Sequence, residues 1–386
     1  MAAGPGKAGY NGGQGISTSN QDIHSRTKRK HGECMKTVLP FLISFLMQLL
    51  ALKYFCRHSM CMDNDKNYKP QRIHSVPTPR AGGLGIFAGS LIILAMGRPE
   101  GALFVLSALP AFIIGFAEDL SSSVNPLPRL LIIAGGAVFG TAFMDAIITD
   151  IGLFTLPLAI AIPFTVFAVT GISNAINIVD GINGLASGVS IITFFFLALT
   201  SYVFGDTLIF GISLALMAAT AGFFVMNFPK GRIFLGDGGA YFIGFAIAEL
   251  SVMLVNRNPD ISPWFPLALM AYPVTEVAFT IFRRKFKKGC SPFLPDRAHL
   301  HSLIYKRVTK SNYRTSYVFW LMVILFDSLA FSFLKNSVAM IAVLLAFVLL
   351  YLTLYARLVR FKPTGMRTLL SLARQEAVRP ISRTSP

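Results

Sequence analysis

The stretch Asn174-Ala-Ile-Asn-Ile-Val-Asp-Gly-Ile-Asn-Gly-Leu-Ala186 brings three Asn, one Asp and two Gly together between two long apolar runs. In a membrane-spanning chain an ionised Asp at bilayer depth costs about 2.5–3.5 kcal/mol, so such a residue marks a functional site by default. Glycine lets the backbone turn and approach a ligand closely. Asn177, Asp180 and Asn183 are spaced i, i+3 and i+6, so a helix would place them roughly on one face. We predict that a phosphorylated substrate meets a metal ion here.

The composition indicates a membrane protein with many spans. Of the 386 residues, 54% are hydrophobic and only 14% are charged, whereas a soluble protein carries about 25% charged residues. The net charge of +17 is also typical of nucleic-acid binding. Membrane proteins, however, carry Lys and Arg in their cytoplasmic loops, so we predict no nucleic-acid partner. The four Cys show neither a metal-binding nor a disulfide spacing.

Apolar runs of membrane-spanning length predict an all-α polytopic bundle of about eleven transmembrane helices with cytoplasmic active-site loops. This bundle would form one domain, residues 35–360. Residues 1–34 predict a disordered basic tail, and residues 361–386 predict a basic cytoplasmic tail. The predicted spans are 37–56, 82–97, 102–117, 130–147, 156–173, 185–204, 207–226, 239–255, 263–282, 315–334 and 337–356.

The polar motifs all lie in loops after odd-numbered spans, which places them on one face of the membrane. Loops on this face and the C-terminal tail hold 25 of the 35 Lys and Arg, and the opposite face holds 9. Because positively charged loops stay in the cytoplasm, the motif face is predicted to be cytoplasmic. The basic cluster Arg26–Lys30 conflicts with this orientation, and translation from Met35 would remove the conflict.

Two motifs on this face precede the Asn/Asp stretch. The stretch His74-Ser-Val-Pro-Thr-Pro-Arg-Ala-Gly-Gly83 follows the first span, and the N–H groups of Gly82 and Gly83 would form a phosphate cradle at a helix start. A proline-rich connector is the alternative. Glu118-Asp119 ends the third span, where the two carboxylates repel each other and oppose the helix dipole. A bound cation or a basic neighbour is expected beside this pair.

Asp237 follows the seventh span within Leu235-Gly-Asp-Gly-Gly239, which predicts an accessible carboxylate and free N–H groups. Mg²⁺ binds oxygen ligands, usually one or two carboxylates together with substrate phosphates and water. Asp237 and Asn177 would suit Mg²⁺, and Mn²⁺ is an alternative cation. A glycine-rich turn capped by Asp237 is the structural alternative.

The longest loop, Arg283–His301, follows the ninth span, and ten Lys and Arg lie between positions 283 and 314. His299 and His301 are spaced i, i+2 and do not share a helix face, which disfavours a zinc-binding pair on a helix. Phosphate binding by His and Arg suits the basic surroundings better. A basic loop that only tethers the protein to anionic lipid is the alternative.

Together these stretches resemble the polyprenyl-phosphate N-acetylhexosamine-1-phosphate transferases, and in particular the bacterial branch that acts with undecaprenyl phosphate and N-acetylglucosamine. The His299-Leu-His301 form departs from the three-histidine run of the phospho-N-acetylmuramoyl-pentapeptide transferases. Glu118 stands where relatives commonly have Asp, and Asn183 where many have a second Asp. The matching stretches keep the family order and are His74–Gly83, Glu118-Asp119, Asn174–Ala186, Leu235–Gly244 and Arg283–His301.

The resemblance implies a reaction and its partners. UDP-N-acetylhexosamine and undecaprenyl phosphate would give undecaprenyl-diphospho-N-acetylhexosamine and UMP, as the first membrane step of an O-antigen, teichoic acid or capsule type of polysaccharide. The protein would lie in the bacterial inner membrane, in contact with the lipid bilayer, with a cytoplasmic active site and Mg²⁺ as cofactor. The sequence leaves open which N-acetylhexosamine is used, and whether the protein is a monomer or a homodimer.

The resemblance also implies roles for individual residues. The predicted catalytic residues are Glu118, Asp119, Asp180, His299 and His301. The predicted substrate-binding residues are His74, Arg80, Asn174, Asn183 and Arg297. The predicted metal ligands are Asp237 and Asn177. Because an amide both donates and accepts hydrogen bonds, we expect Asn183 to recognise uracil while Asp180 serves the reacting centre.

A transporter of an anionic or lipid-linked substrate is the competing function, since intramembrane acids and glycine-interrupted spans also suit transporters. The polar motifs, however, gather on one face rather than at the midplane, and the opposite loops carry few polar groups. A basic scaffold protein would leave the Asn/Asp stretch unexplained. Glu249, Glu276 and Asp327 lie within predicted spans and are assigned no chemistry.

Overall fold

The computed structural model describes residues 15–58, 61, 77–287, 289 and 298–360. Apart from an isolated bridge between Asp150 and Thr155, the regular structure of these residues is helical, so the all-α prediction is confirmed. The helices are α1 Gly15–His58, α2 Gly82–Ser90, α3 Pro99–Ser121, α4 Pro126–Phe143, α5 Leu158–Val179, α6 Leu185–Val203, α7 Thr207–Asn227, α8 Gly236–Arg257, α9 Phe265–Leu269, α10 Ala271–Phe282, α11 Leu300–Ile304, α12 Asn312–Ser332 and α13 Ser337–Arg360.

Nine of the helices in the described part of the chain are long and apolar enough to cross a membrane. Two predicted spans differ from this pattern. The span predicted at 82–97 is the short apolar stretch Gly82–Met96, formed by α2 and a 3₁₀ turn. The span predicted at 263–282 is divided at Met270 into α9 and α10. The polytopic membrane architecture is confirmed, and the number of eleven crossings stays a prediction.

Helix α1 begins at Gly15, so it includes most of the stretch that was predicted to be a disordered tail. No proline interrupts the chain between Gly15 and Pro40, so the backbone hydrogen bonds of the helix can continue through this region. Its membrane-length part is Thr37–His58. Residues 1–14 and the C-terminal tail 361–386 lie outside the described residues.

Helix α8 is the centre of the bundle, since 94% of its membrane-length window is buried. Small residues let helix backbones approach closely in membranes, and two contacts depend on this. A Cβ atom on Gly83 of α2 would collide with the backbone of Gly239. A Cβ atom on Gly115 of α3 would collide with the backbone of Asp237. These contacts hold the N-terminal end of α8 against the start of α2 and the end of α3.

A reporter fused after Arg360 is expected on the same face as one inserted near Gly289. Two membrane-length helices, α12 and α13, lie between the two positions and return the chain to its starting side. From the distribution of Lys and Arg we predict that this side is the cytoplasm. Fusions to a cytoplasmic and a periplasmic reporter enzyme test this, with a fusion near Lys335, between α12 and α13, as the control for the opposite face. Opposite faces for Arg360 and Gly289 would contradict the predicted topology.

Candidate active site

Oppositely charged side chains from different helices meet at one end of the bundle. Arg80, just before α2, has Nη2 2.7 Å from Oδ1 of Asp237 and 3.1 Å from Oδ1 of Asp119. Arg129, in the first turn of α4, has Nη1 2.5 Å from Oδ2 of Asp237 and 3.9 Å from Glu118. The side chains of the group are at most 15% exposed. The basic neighbours expected beside Glu118-Asp119 are therefore present.

Asp119 also holds the start of α8. Its two carboxylate oxygens accept hydrogen bonds from the N–H groups of Asp237 and Gly238, each at 2.9 Å. An anion at a helix N-terminus is favoured by the unpaired N–H groups and the helix dipole. The prediction that the N–H groups around Asp237 are free for a ligand is therefore wrong, because a carboxylate of the protein already occupies two of them.

The phosphate cradle predicted at Gly82 and Gly83 is also wrong. Their N–H groups donate to the carbonyl oxygens of Phe234 and Leu235, each at 2.9 Å. This backbone pairing fastens the start of α2 to the loop before α8, and it leaves neither N–H group for an anion. The charged group that this motif contributes to the site is instead the side chain of Arg80.

The Asn/Asp stretch forms the end of α5 and the turn after it. Because α5 ends at Val179, the prediction that Asn177, Asp180 and Asn183 share a helix face is wrong. Asn177 lies in the last turn, where its side chain bonds the hydroxyl of Tyr241 on α8. Asp180 has a ψ of 57°, outside the helical range, and the glycine-rich turn follows it. The turn therefore separates the side chains that helical spacing would have aligned.

Asp180 lies within electrostatic range of the charged group on α8. Burial raises the pKa of Asp180 to about 7. The negative charge of Asp237 adds to this rise, and the positive charge of Arg80 opposes it. Asp180 is therefore a carboxyl group at this end of the bundle that can hold or release a proton near neutral pH.

The raised pKa of Asp180 predicts a pH dependence of stability. A carboxyl that binds its proton more tightly in the folded protein stabilises the fold at acid pH, and this contribution is lost as the pH rises through about 7. The amide of Asp180→Asn does not titrate, so this variant does not lose stability in the same way. The difference between its melting temperature and that of wild type should therefore increase in favour of the variant from about pH 5 to about pH 8. Thermal unfolding in detergent with EDTA measures this, with the exposed Asp260→Asn as control. A constant difference between Asp180→Asn and wild type would contradict the assignment.

Asn183 is buried and tied into the protein. Its side-chain N–H donates to the carbonyl of Pro229 at 3.1 Å. Its backbone N–H donates to Asn312 at 3.2 Å, and its carbonyl accepts from the hydroxyl of Ser316 at 2.7 Å. A Cβ atom on Gly231 would collide with the Asn183 side chain. The observed contacts join the turn after α5 to α12 and to the loop before α8, and recognition of uracil would require the side-chain contact to open.

His299 and His301 lie at the start of α11 and are buried. Their rings stack in parallel with centroids 5.3 Å apart. His299 Nδ1 lies 3.0 Å from the carboxylate of Glu276, and His301 Nδ1 lies 3.3 Å from the hydroxyl of Tyr272. A Cβ atom on Gly181 would lie 2.7 Å from His301 Nε2. The second histidine therefore faces the turn at the end of α5.

The remaining predicted site residues have fewer described contacts. Asn174 is half-buried in α5, about one turn before Asn177. His74 and Arg297 lie outside the described residues. Asn183 is held in the turn after α5 by the contacts given above. Through direct contacts and charge interactions the structure brings eight predicted residues of the site to one end of the bundle, and these are Arg80, Glu118, Asp119, Asn177, Asp180, Asp237, His299 and His301.

The part of the sequence that carries most of these residues matches known enzymes. Residues 102–255 match Glycosyl transferase family 4. A Bacillus subtilis (strain 168) protein named "Probable undecaprenyl-phosphate N-acetylglucosaminyl 1-phosphate transferase" is 31% identical over 288 residues, which cover 69% of this chain and 76% of that protein. The chain belongs to this family of transferases. The resemblance inferred from the motifs is therefore confirmed.

Two further relatives have lower sequence identity to the transferase. An Escherichia coli (strain K12) protein named "Undecaprenyl-phosphate alpha-N-acetylglucosaminyl 1-phosphate transferase" is 27% identical over 288 residues, 70% of this chain and 77% of its own. The Mycobacterium tuberculosis (strain ATCC 25618 / H37Rv) "Decaprenyl-phosphate N-acetylglucosaminephosphotransferase" is 29% identical over 281 residues, 59% of this chain and 66% of its own. The family match includes Glu118 and Asp119 of α3, Asp180 after α5 and Asp237 of α8. It ends before the two histidines at the start of α11.

Several residues that shape the site of the transferase were missed by reasoning from sequence. Arg129 was counted only as a charge beside a span, although it is paired with Asp237. Glu276 and Tyr272 contact the two histidines, and Tyr241 contacts Asn177. The available signal was an ionisable residue inside or beside an apolar run, which marks a site by default. That signal applied to Arg129 and Glu276, and nothing in the sequence distinguished the two tyrosines.

The oxygen atoms at this end of the transferase fit a hard cation. Asp237, Asp180 and Asn177 offer carboxylate and amide oxygens, which Mg²⁺ prefers. Among the residues that the structure describes, no group of three or more His, Cys, Asp or Glu side chains could hold a metal ion. Mg²⁺ usually takes one or two carboxylates and completes its shell with phosphates and water. A cation that arrives with a phosphorylated substrate fits this donor set, and it would compete with Arg80 and Arg129 for Asp237.

Proposed function

We propose that the protein transfers N-acetylhexosamine 1-phosphate from a UDP-sugar to undecaprenyl phosphate and releases UMP. In this reaction a phosphate oxygen of the lipid attacks the β-phosphorus of the UDP-sugar, and the bond from that phosphorus to the bridging oxygen breaks. The names of the relatives make N-acetylglucosamine the first sugar to test. The observation that carries the proposal is the convergence of Arg80 and Arg129 with the carboxylates of α3 and α8 at one end of the bundle.

The chemical difficulty is to bring two anions together, so catalysis would consist mainly of charge neutralisation and positioning. Arg80 and Arg129 carry guanidinium groups that bind phosphate oxygens in a planar, two-point manner. Asp119 is held by two N–H groups and by Arg80, so its role would be to position the arginine and α8. A lipid phosphate with a second pKa of about 6 is largely ionised at pH 7, so no strong base is required.

Asp180 would hold the remaining proton near the acceptor phosphate. Its pKa of about 7 suits a group that exchanges a proton at neutral pH, and a small fraction of lipid phosphate that still carries a proton could lose it to Asp180. Asp237 and Asn177 would hold Mg²⁺, and Asp180 lies close enough to contribute charge. When bound, Mg²⁺ would stabilise negative charge on the diphosphate and on the departing UMP.

The location of the reaction is part of the proposal. The basic loops on the site end support a cytoplasmic active site, where UDP-sugars are made. The proposed membrane is the bacterial inner membrane. Undecaprenyl-diphospho-N-acetylhexosamine would then begin the synthesis of a cell-surface polysaccharide of the O-antigen, teichoic acid or capsule type. A homodimer remains one arrangement that cross-linking in membranes would test.

Release of UMP by the purified protein tests the function. UDP-N-acetylglucosamine, UDP-N-acetylgalactosamine and UDP-glucose are supplied in turn, with and without undecaprenyl phosphate and Mg²⁺. We expect UMP and a lipid-linked sugar only when an N-acetylhexosamine donor, lipid phosphate and Mg²⁺ are all present. Binding or transport of the donor without release of UMP would overturn the proposal and favour a transporter.

Asn183→Ala should lower the thermal stability of the protein and leave the KM for the UDP-sugar close to its wild-type value. The variant loses the hydrogen bond to the Pro229 carbonyl, and one such neutral bond contributes about 0.5–1.5 kcal/mol. Melting temperature and steady-state kinetics are measured together, with Asn256→Ala as a matched control that loses bonds to two carbonyls elsewhere. A several-fold increase in KM at unchanged melting temperature would restore the role in uracil recognition.

A further inference from the structure

We infer that α10 carries two positioning residues, Tyr272 and Glu276, that fix the histidines of α11 in opposite tautomers. Glu276 would hold the proton of His299 on Nδ1, and Tyr272 would hold the proton of His301 on Nε2. The histidine that faces the Asp180 turn would then be a fixed hydrogen-bond donor. The assignment of the tautomers rests on these contacts and on the acidity of the two partners, and only the effect on turnover rests on the proposed function.

Glu276 determines the orientation of the first histidine. It is completely buried, and both of its oxygens accept from the backbone N–H of Leu300, at 3.3 and 3.2 Å. Its Oε1 lies 3.0 Å from His299 Nδ1. A carboxylic acid is ordinarily more acidic than an imidazolium, so the shared proton belongs to the imidazole, and Nδ1–H donates to the carboxylate. The hydroxyl of Thr280 is 3.4 Å from the same nitrogen, at the edge of hydrogen-bonding range.

The bond to the Leu300 N–H gives Glu276 a second effect. Leu300 is the first residue of α11, and the first N–H groups of a helix have no partner within the helix. The carboxylate therefore caps α11 from a neighbouring helix. One side chain thus fixes both the start of α11 and the ring of His299, the residue that precedes it.

Tyr272 determines the orientation of the second histidine. It lies one helical turn before Glu276 on α10, so both side chains point toward α11. Its hydroxyl is 3.3 Å from His301 Nδ1. A phenol with an ordinary pKa of about 10 keeps its proton at pH 7 and can donate it to that nitrogen. An imidazole that accepts at Nδ1 carries its own proton at Nε2.

The surroundings of His301 agree with a neutral ring. Burial holds the pKa of His301 well below its usual range, and the charge interactions with the neighbouring His299 and Lys306 act in the same direction. The ring therefore carries a single proton, and its position is set by the bond at the other nitrogen. Gly181 lies against Nε2, so that proton points to the turn after Asp180. A phosphate or sugar oxygen held near this turn would receive the hydrogen bond.

The stacking of the two imidazole rings couples the orientation of His299 to that of His301. Their planes differ by 4°, so a rotation of either ring would disturb the other. Removing the partner that orients a metal-binding histidine through its second ring nitrogen typically lowers metal affinity or activity by about 10- to 100-fold. We expect an effect at the lower end of this range for the two histidines here. Tyr272 and Glu276 would thus act through the histidines, without touching the substrate themselves.

Nitrogen NMR of protein labelled with ¹⁵N in its histidine side chains tests the inference, because protonated and unprotonated ring nitrogens have well-separated shifts. The chain has six histidines, and His299→Gln and His301→Gln assign the two signals by difference. We expect a protonated Nδ1 in His299 and a protonated Nε2 in His301. The same tautomer in both residues of the wild-type protein would overturn the inference.

Two variants test the effects of Tyr272 and Glu276 on the histidines separately. Tyr272→Phe removes one oxygen and keeps the ring, so it should alter the nitrogen signals of His301 and preserve those of His299. Glu276→Gln should alter the signals of His299. The matched control is Glu249→Gln, which neutralises another buried glutamate, bonded to Ser107 and remote from α11. Unchanged His301 signals in Tyr272→Phe would overturn the inference even if Glu276→Gln failed to fold.

Kinetics give a second readout. Tyr272→Phe is expected to lower kcat about tenfold with little change in the KM for the donor, and Glu276→Asp should retain more activity than Glu276→Gln. Wild-type kcat in Tyr272→Phe would overturn the positioning role. The NMR result does not depend on turnover. A wild-type protein that shows both tautomers and releases no UMP would therefore overturn the proposed function and leave the positioning of the histidines intact.

Discussion

Asp237→Asn should lower turnover by about 10²–10³-fold at ordinary Mg²⁺ while the protein stays folded in detergent. Both arginines of the site contact Asp237, which is also a predicted metal ligand. Asn keeps the shape of the side chain and removes its charge. The variant would thus lose a cation ligand and leave two guanidinium groups beside a neutral amide. Release of UMP, measured over a range of Mg²⁺ concentrations, gives the effect.

The matched control for this variant is Asp327→Asn. Asp327 is also a buried carboxyl in a membrane-length helix, α12, and it has no described contact with the charged group. We expect near wild-type turnover for this control. Partial recovery of Asp237→Asn at raised Mg²⁺ would identify a metal ligand. Near-normal turnover of Asp237→Asn at ordinary Mg²⁺ would remove Asp237 from the site.

Gly115→Ala should abolish most of the activity although Gly115 carries no functional group. The added Cβ atom would lie 2.5 Å from the carbonyl oxygen of Asp237 and 2.6 Å from the Cα atom of Gly238. These are backbone atoms that cannot rotate away, so α3 would have to move from α8. Asp119, one turn further along α3, would then lose its bonds to the N–H groups of α8. A displacement of about 1 Å can cost about 10²-fold in rate.

Overpacking of this kind also costs about 1–3 kcal/mol of stability, so the melting temperature of Gly115→Ala should fall with its turnover. Gly171→Ala is the matched control, because Gly171 also lies in a membrane-length helix. Among the described residues, no atom beyond the local backbone of its own helix lies within 4 Å of the added Cβ. This control should keep both stability and turnover. Wild-type turnover in Gly115→Ala would show that the site tolerates separation of α3 from α8.

The broken span between Trp264 and Phe282 illustrates the limit of hydropathy as a predictor. The apolar run was long enough for one helix, yet the structure divides it at Met270. Pro273 follows this break and cannot donate a backbone hydrogen bond, so it suits the start of a new helix. Hydropathy reports how apolar a run is. It does not report where the backbone hydrogen bonds stop.

The Asn/Asp stretch illustrates a second limit. Its spacing suggested a shared helix face, and Asn183 was expected to be available to a nucleotide. The turn at Asp180 and the burial of Asn183 against Pro229 follow from the packing of the loop before α8 and of α12, which are more than forty residues away in sequence. A carboxamide in a polar motif has the same local pattern whether it faces a substrate or a carbonyl of the protein.

The sequence by itself determined the all-α membrane architecture, the transferase family and the stretches that form the site. These depend on local properties, namely the length of apolar runs, the distribution of basic residues and the order of short polar motifs. Only the tertiary structure decided which charges pair. Arg129 and Asp237 are 108 residues apart and meet because α3, α4 and α8 pack together. Such pairing depends on helix packing that glycines such as Gly115 permit, and no local pattern encodes the partner of a buried charge.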